Sequence, residues 1–168
     1  KRVALLYGSA GVGKSVVMHD VLLELEQKEE YLVLGLKTDQ IEFGDTEDLS
    51  KRMHLAKPLV TIIKEMAQKA KRVVVLIDQI DALSYSITSN REFINTYTRI
   101  ISEFENEKNL RVVISTRKYD LEYDAELSIY NSQKYSKKEV ALIDPKEVLS
   151  ILEKYNIQTV PNKFLELL

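Results

Sequence analysis

Gly8-Ser9-Ala10-Gly11-Val12-Gly13-Lys14-Ser15 is the stretch on which the reading of this chain turns. It satisfies G-x-x-x-x-G-K-[ST] at every fixed position, and its flanks are those the pattern requires. Ahead of it, Val3–Tyr7 is a short apolar run closed by Gly8, the mark of a buried parallel strand. Behind it, Val17, Val21 and Leu25, together with Met18 and Leu22, recur at helical spacing from Lys14 to about Gln27. Glycines let such a bend turn sharply and bring main-chain N–H groups against an anion without a Cβ in the way. The helix that starts near Gly13 adds unpaired N–H groups and the positive end of its dipole. The segment Gly8, Ser9, Ala10, Gly11, Val12, Gly13, Lys14, Ser15 and Val16 is therefore expected to cradle phosphates. Lys14 would set an ammonium between the β- and γ-phosphates, and Ser15 would offer a hydroxyl to Mg²⁺. A turn that merely joins strand to helix is the alternative, which the full motif in its strand–loop–helix setting disfavours.

Outward from the loop, apolar runs and helical periods alternate. Leu32–Leu36, Val73–Ile77, Leu110–Ile114 and Val140–Ile143 read as further strands, and Asp39–Asp48 reads as loop. Leu59–Ala70 reads as a helix with Pro58 just before its first turn. Phe93, Ile94, Tyr97, Ile100, Ile101 and Phe104 fall on one helical face. Asp144-Pro145-Lys146-Glu147 supplies an N-cap acid, a proline at the first helical position and a capping-box glutamate, ahead of a face carrying Val148, Leu149, Leu152 and Tyr155. Short strands alternating with helices predict an α/β fold, a parallel five-stranded sheet flanked by helices. Residues 1–158 are assigned to this domain, and residues 159–168 to the start of a helical subdomain.

The strand Val73–Ile77 ends in Asp78, followed by Gln79-Ile80-Asp81. A carboxylate at the C-terminal edge of a parallel sheet lies where ligands bind in open α/β folds, so Asp78 is the candidate metal-site acid beside Ser15. Capping of the next turn is the alternative role for such an aspartate. Hydrolysis further requires a group that orients or deprotonates water. Gln79 can orient water without accepting its proton. Asp81 is the nearest acid, and it is equally readable as a surface or capping residue. Ser115-Thr116-Arg117 closes another strand, which makes Arg117 a candidate sensor of the γ-phosphate, the alternative being solvated charge. His19 and His54 read as surface residues.

Composition narrows the class further. A 168-residue chain is long enough for one well-buried domain, and its formal charge of −2 gives no bulk electrostatic reason to expect nucleic-acid or membrane-surface binding. The absence of cysteine excludes disulfides and thiolate metal sites and fits a cytoplasmic setting. No apolar run reaches the roughly 18 residues of a membrane span. Lys1 stands two positions ahead of the first strand, and Leu168 ends within a helical pattern. We therefore expect a module of a longer polypeptide, with other domains of that polypeptide among its partners.

Asp78-Gln79-Ile80-Asp81-Ala82-Leu83, with Val113-Ile114-Ser115-Thr116-Arg117 downstream, resembles the signal-transduction ATPases with numerous domains, which belong with the AAA-plus ATPases. The likeness continues through Lys118–Asp124 and the helix led by Asp144-Pro145. It implies a P-loop, AAA-plus-like three-layer sandwich that takes ATP with Mg²⁺. It also implies a regulatory switch in signalling or defence, which forms homo-oligomers on ATP binding and is reset by hydrolysis. By this likeness Lys14 and Ser15 bind phosphate and Mg²⁺, Asp78 supports the metal, and Arg117 senses the γ-phosphate. Gln79 departs from the pattern, since glutamate commonly follows the metal-site aspartate. The choice of ATP rests on the resemblance, because no residue in the motifs reads adenine. A small P-loop kinase is disfavoured because the segment after Arg117 is rich in Asp, Glu and Tyr rather than arginine. A GTPase is disfavoured because no Asn-Lys-x-Asp motif occurs. A nucleotide-binding module without turnover is the remaining alternative.

Overall fold

A computed structural model of the chain describes residues 1–38, 50–51, 53–84 and 91–154. Among them, five strands run parallel: β1 (Val3–Gly8), β2 (Tyr31–Lys37), β3 (Arg72–Asp78), β4 (Leu110–Arg117) and β5 (Ser136–Glu139). Their order across the sheet is β2-β3-β4-β1-β5. The connecting helices are α1 (Lys14–Glu26), α2 (Leu59–Lys69), α3 (Arg91–Phe104), α4 (Lys118–Tyr123) and α5 (Pro145–Lys154), with 3-10 turns at Ile80–Ser84 and Ser128–Asn131. The loop expected over Asp39–Asp48, the side chains of Leu149 and Leu152, Tyr155, and the helical start expected over residues 159–168 lie outside the described residues.

The period-2 alternation of strand side chains divides the core into two layers. Val3 and Leu5 of β1, Val73, Val75 and Ile77 of β3, and Leu110, Val112 and Ile114 of β4 face one side. There they meet Ile63 of α2 and the buried face of α3, formed by Ile94, Tyr97, Ile100, Ile101 and Phe104, with Phe93 partly buried. Leu6, Val74 and Leu76 face the other side, against Met18, Val21, Leu22 and Leu25 of α1. Val17, expected on the apolar face of α1, stays exposed with Val16. This is the flanked parallel sheet that the strand–helix alternation predicts. β3 is buried at six successive positions because it is central and covered on both faces, as its unbroken apolar run requires.

The fifth strand corrects the sequence reading. Strand β5 is Ser136–Glu139, not Val140–Ile143, and all four of its residues are exposed. Among the described residues it lies at the sheet edge beside β1, where main-chain hydrogen bonds rather than apolar burial define it. Of the apolar run that suggested a strand, Val140 packs against the core at the α1 side, while Leu142 and Ile143 are 64% and 54% exposed. A charged edge strand also discourages pairing with other chains. At α5, the expected cap is present: the Lys146 N–H donates to Asp144 Oδ1 at 2.8 Å.

The contrast between buried and edge strands is measurable. Ile114→Ala, at a side chain with 0% exposure, is expected to cost about 2–5 kcal/mol of unfolding free energy. Lys137→Ala on β5 is expected to stay within about 0.5 kcal/mol of the parent. Urea denaturation of both variants tests this, and similar costs would contradict the assigned core.

Candidate functional site

Strand register assembles the site. β4 lies between β1 and β3, pairing Gly8 with Arg117 on one side and Ile77 with Ile114 on the other. One residue past that last pair, Ser115 stands beside Asp78. The end of β1, the end of β3 and Arg117 therefore share the C-terminal edge of the sheet, where crevices form in open α/β folds.

The bend after β1 uses its glycines in two ways. Gly11 and Gly13 have φ of 76° and 88°, a left-handed backbone that side-chain-bearing residues rarely adopt. Gly8 is required for space: a Cβ there would lie 2.4 Å from the Val140 carbonyl oxygen. Lys14 opens α1 and is buried, with its ammonium donating to the main-chain oxygens of Gly8 at 3.1 Å and Ser9 at 2.7 Å. Burial holds its pKa below the usual lysine value; Asp81 opposes that shift, the Arg117 guanidinium adds to it, and Asp78 and Asp120 oppose it.

Asp78 is buried at the end of β3, and its carboxylate accepts a hydrogen bond from the Ser115 hydroxyl. The Ser115 oxygen in turn accepts the Gln79 N–H at 2.8 Å. Gln79 sits at φ 58°, a strained conformation for a residue with a side chain. Thr38, fully buried after β2, steadies this corner: its N–H donates to the Asp78 carbonyl at 3.1 Å, and its hydroxyl lies against the carbonyls of Asp78 and Gln79. So held, the Gln79 side chain reaches across to Ser15, its Nε2 donating to the Ser15 hydroxyl oxygen at 3.0 Å.

Asp81 is only 2% exposed, which rules out the surface reading, and its Oδ2 lies 3.0 Å from Arg117 Nε. Among the described residues its Oδ1 has no hydrogen-bond partner. Burial pushes its pKa up, the nearby main-chain amide opposes this, Asp120 adds to the rise, and Arg117 and Lys14 oppose it. The Arg117 side chain is 47% exposed, so one end of the pair is wet and the other buried. Solvated charge alone does not describe it.

Lys14, Ser15, Gln79, Asp81 and Arg117 line one cavity of about 300 Å³, together with Ala10, Gly11, Gly13 and Val16. Asp78 lies on the far side of Ser15, and the two line an adjoining cavity of about 350 Å³. The sequence-derived set thus converges, with Asp78 one step removed. Gly8 and Ser9 contribute through the carbonyls that hold Lys14, and Val12 packs close to Gly8.

The donor set suits a phosphate chain with a hard cation. Among the described residues no cluster of three or more His, Asp or Glu would hold a metal unaided. One hydroxyl, Ser15, and one carboxylate, Asp78, fit Mg²⁺, which keeps waters and takes substrate phosphates into its shell. Sequence reasoning missed Ser115 and Thr38. A hydroxyl residue at the buried end of an apolar strand was the available signal for Ser115; for Thr38 there was none.

A family model described as "ATPase family associated with various cellular activities (AAA)" matches residues 4–133. No curated protein matches the chain in sequence. Among solved structures, AMPPCP-bound DnaA from Aquifex aeolicus is similar, with a TM-score of 0.62, 15% identity, and coverage of 99% of this chain and 48% of that one. The Walker-type ATPase of Pyrococcus abyssi gives a TM-score of 0.60 at 14% identity, covering 98% and 57%. The Aeropyrum pernix ORC2 protein, solved with ADPNP and ADP, gives 0.56 at 13% identity, covering 92% and 46%. The chain spans about half the length of these structures, which it resembles in fold. With the matched residues taking in all of β2, β3 and β4, the phosphate loop and Arg117, the chain belongs to the AAA family of ATPases.

Proposed function

We propose that this domain binds ATP with Mg²⁺, hydrolyses it slowly, and serves as a conformational switch within a larger protein. The observation that carries this reading is the meeting of Lys14, Ser15, Gln79, Asp81 and Arg117 on one cavity over a glycine bend. A triphosphate tail would replace the loop carbonyls as partner of the Lys14 ammonium, and anionic oxygens there would reverse the effect of burial on that group. Ser15 and Asp78 would hold Mg²⁺, which supplies charge neutralisation to the phosphates. Arg117 is placed to exchange the Asp81 carboxylate for a phosphoryl oxygen, so that the site changes its internal pairing with nucleotide state. Such an exchange is the element a switch requires, and family membership favours ATP as the nucleotide. Other domains of the same polypeptide, and homo-oligomers formed with ATP, would read that change. An intracellular signalling role follows from the same reading.

Turnover depends on which group takes the proton of the attacking water. Gln79 has no capacity to accept one, and its amide is engaged by Ser15. Asp81 lines the cavity, and burial raises its proton affinity, which suits a general base. Gln79 also favours a second reading, a nucleotide-binding module without turnover. Multiple-turnover phosphate release by the parent chain separates the two.

Lys14→Ala is expected to abolish Mg²⁺-dependent binding of radiolabelled ATP. Undiminished binding would remove the nucleotide-site assignment. Asp81→Asn is expected to lower phosphate release about 10²–10⁴-fold, whereas Gln79→Glu is expected to raise it. Equal rates in the Asp81→Asn variant and the parent would exclude Asp81 as the base.

Asp81 also predicts a pH effect on stability. In the unfolded chain it ionises as an ordinary aspartate, near 3.8, and in the fold it keeps its proton to higher pH. Its contribution to stability is therefore present at low pH and is lost as pH rises from the unfolded value towards the raised one. Urea denaturation of the parent and Asp81→Asn across that window should show the variant gaining on the parent as pH rises. Parallel curves would contradict the raised proton affinity.

A further inference from the structure

The other end of the sheet carries a second concentration of charge. Lys71-Arg72 opens β3, and Lys108-Asn109-Leu110-Arg111 opens β4. These strands are parallel neighbours in a register that pairs Val73 with Leu110 and Val74 with Arg111, so their starts bring the four cations together. They line a cleft of about 420 Å³ with Tyr31 and Asn109, and none of the described residues lining it is acidic. Arg72 is anchored, stacked over the Tyr31 ring at 5.2 Å with Glu30 at 3.4 Å. Arg111 is anchored by Nη1, which donates to the carbonyls of Lys108 at 2.9 Å and Leu110 at 2.8 Å. No ion pair joins Lys71 or Lys108 to a carboxylate among the described residues. This concentration belongs to a chain whose net charge is −2, so it is local and not a reflection of composition.

We propose that this cleft binds a small oligophosphate anion at a site separate from the phosphate loop. Two guanidinium groups held in place and two ammoniums outside any ion pair among the described residues suit several phosphate oxygens at once. Cations gathered in one cleft repel each other, and a multivalent anion relieves that repulsion most effectively. A concave volume of this size matches small-molecule pockets, which favours a compact ligand over a nucleic-acid backbone lying on an open surface. Arg72 and Asp78 are the two ends of β3, so the cleft lies about 20 Å along the sheet from the edge that carries Asp78. The proposal does not depend on nucleotide binding there.

Inorganic tripolyphosphate is the probe, followed by isothermal titration calorimetry at low ionic strength. The parent chain is expected to take up two equivalents. Lys14→Ala is expected to keep the cleft site, and Lys71→Ala/Arg111→Ala to keep only the phosphate-loop site. Each cation removed should weaken the cleft site about tenfold or more. The substituted cleft side chains are exposed, and a retained circular-dichroism spectrum and melting transition confirm the fold. A single equivalent in the parent that Lys14→Ala retains upholds the cleft and counts against the phosphate-loop reading instead. Unchanged binding by the double cleft variant, or loss of all binding in Lys14→Ala, overturns the proposal. So does cleft-dependent binding of a short DNA duplex without any of tripolyphosphate, which would assign the surface to nucleic acid.

Discussion

Strand β4 stands between β1 and β3, and that insertion governs the chemistry of the C-terminal edge. It separates the phosphate bend from Asp78 by two strand spacings, about 10 Å. The gap is wide enough for a cavity lined by Lys14 and Arg117 rather than a direct contact between loop and carboxylate. The inserted strand then furnishes the gap: Arg117 beside Gly8, Ser115 beside Asp78. A sheet with β1 and β3 as neighbours would have neither the space nor the arginine.

Most of the polar groups in this cavity are held by protein partners, Asp81 Oδ1 being the exception among the described residues. Lys14 leans on loop carbonyls, Gln79 on Ser15, and Arg117 on Asp81. Buried charges in a low-dielectric site are costly unless paired, and Lys14, Gln79 and Arg117 each have a protein partner, as does Oδ2 of Asp81. A phosphate chain would compete for these same groups. The strain at Gln79, φ 58°, is sustained by Ser115 and Thr38 and directs its side chain at the hydroxyl of Ser15. The residue that departs from the usual glutamate is thus built into the corner rather than left loose.

A parallel sheet has chemically different ends, and this chain uses them differently. At the C-terminal edge, cations and carboxylates are interleaved and largely buried. At the N-terminal edge, cations collect in a cleft lined by no carboxylate among the described residues. The polarity of the sheet keeps the two apart, because strand starts and strand ends never meet within it.

The sequence by itself determined the local chemistry: the glycine bend with Lys14 and Ser15, the strand ending in Asp78, and the alternation that makes a flanked parallel sheet. These are readable because each depends on neighbours within a few residues. The period of α3 and the Asp144 cap were legible for the same reason. The edge strand was not, since β5 is made of charged residues and is held by main-chain pairing with β1. Nor could sequence show that Asp81 is buried against Arg117, or that Ser115 and Thr38 brace the acid corner. Those pairings join residues about forty positions apart, and strand order decides them. Local pattern names the candidates, but only the packed sheet chooses their partners, because strand register is a long-range property.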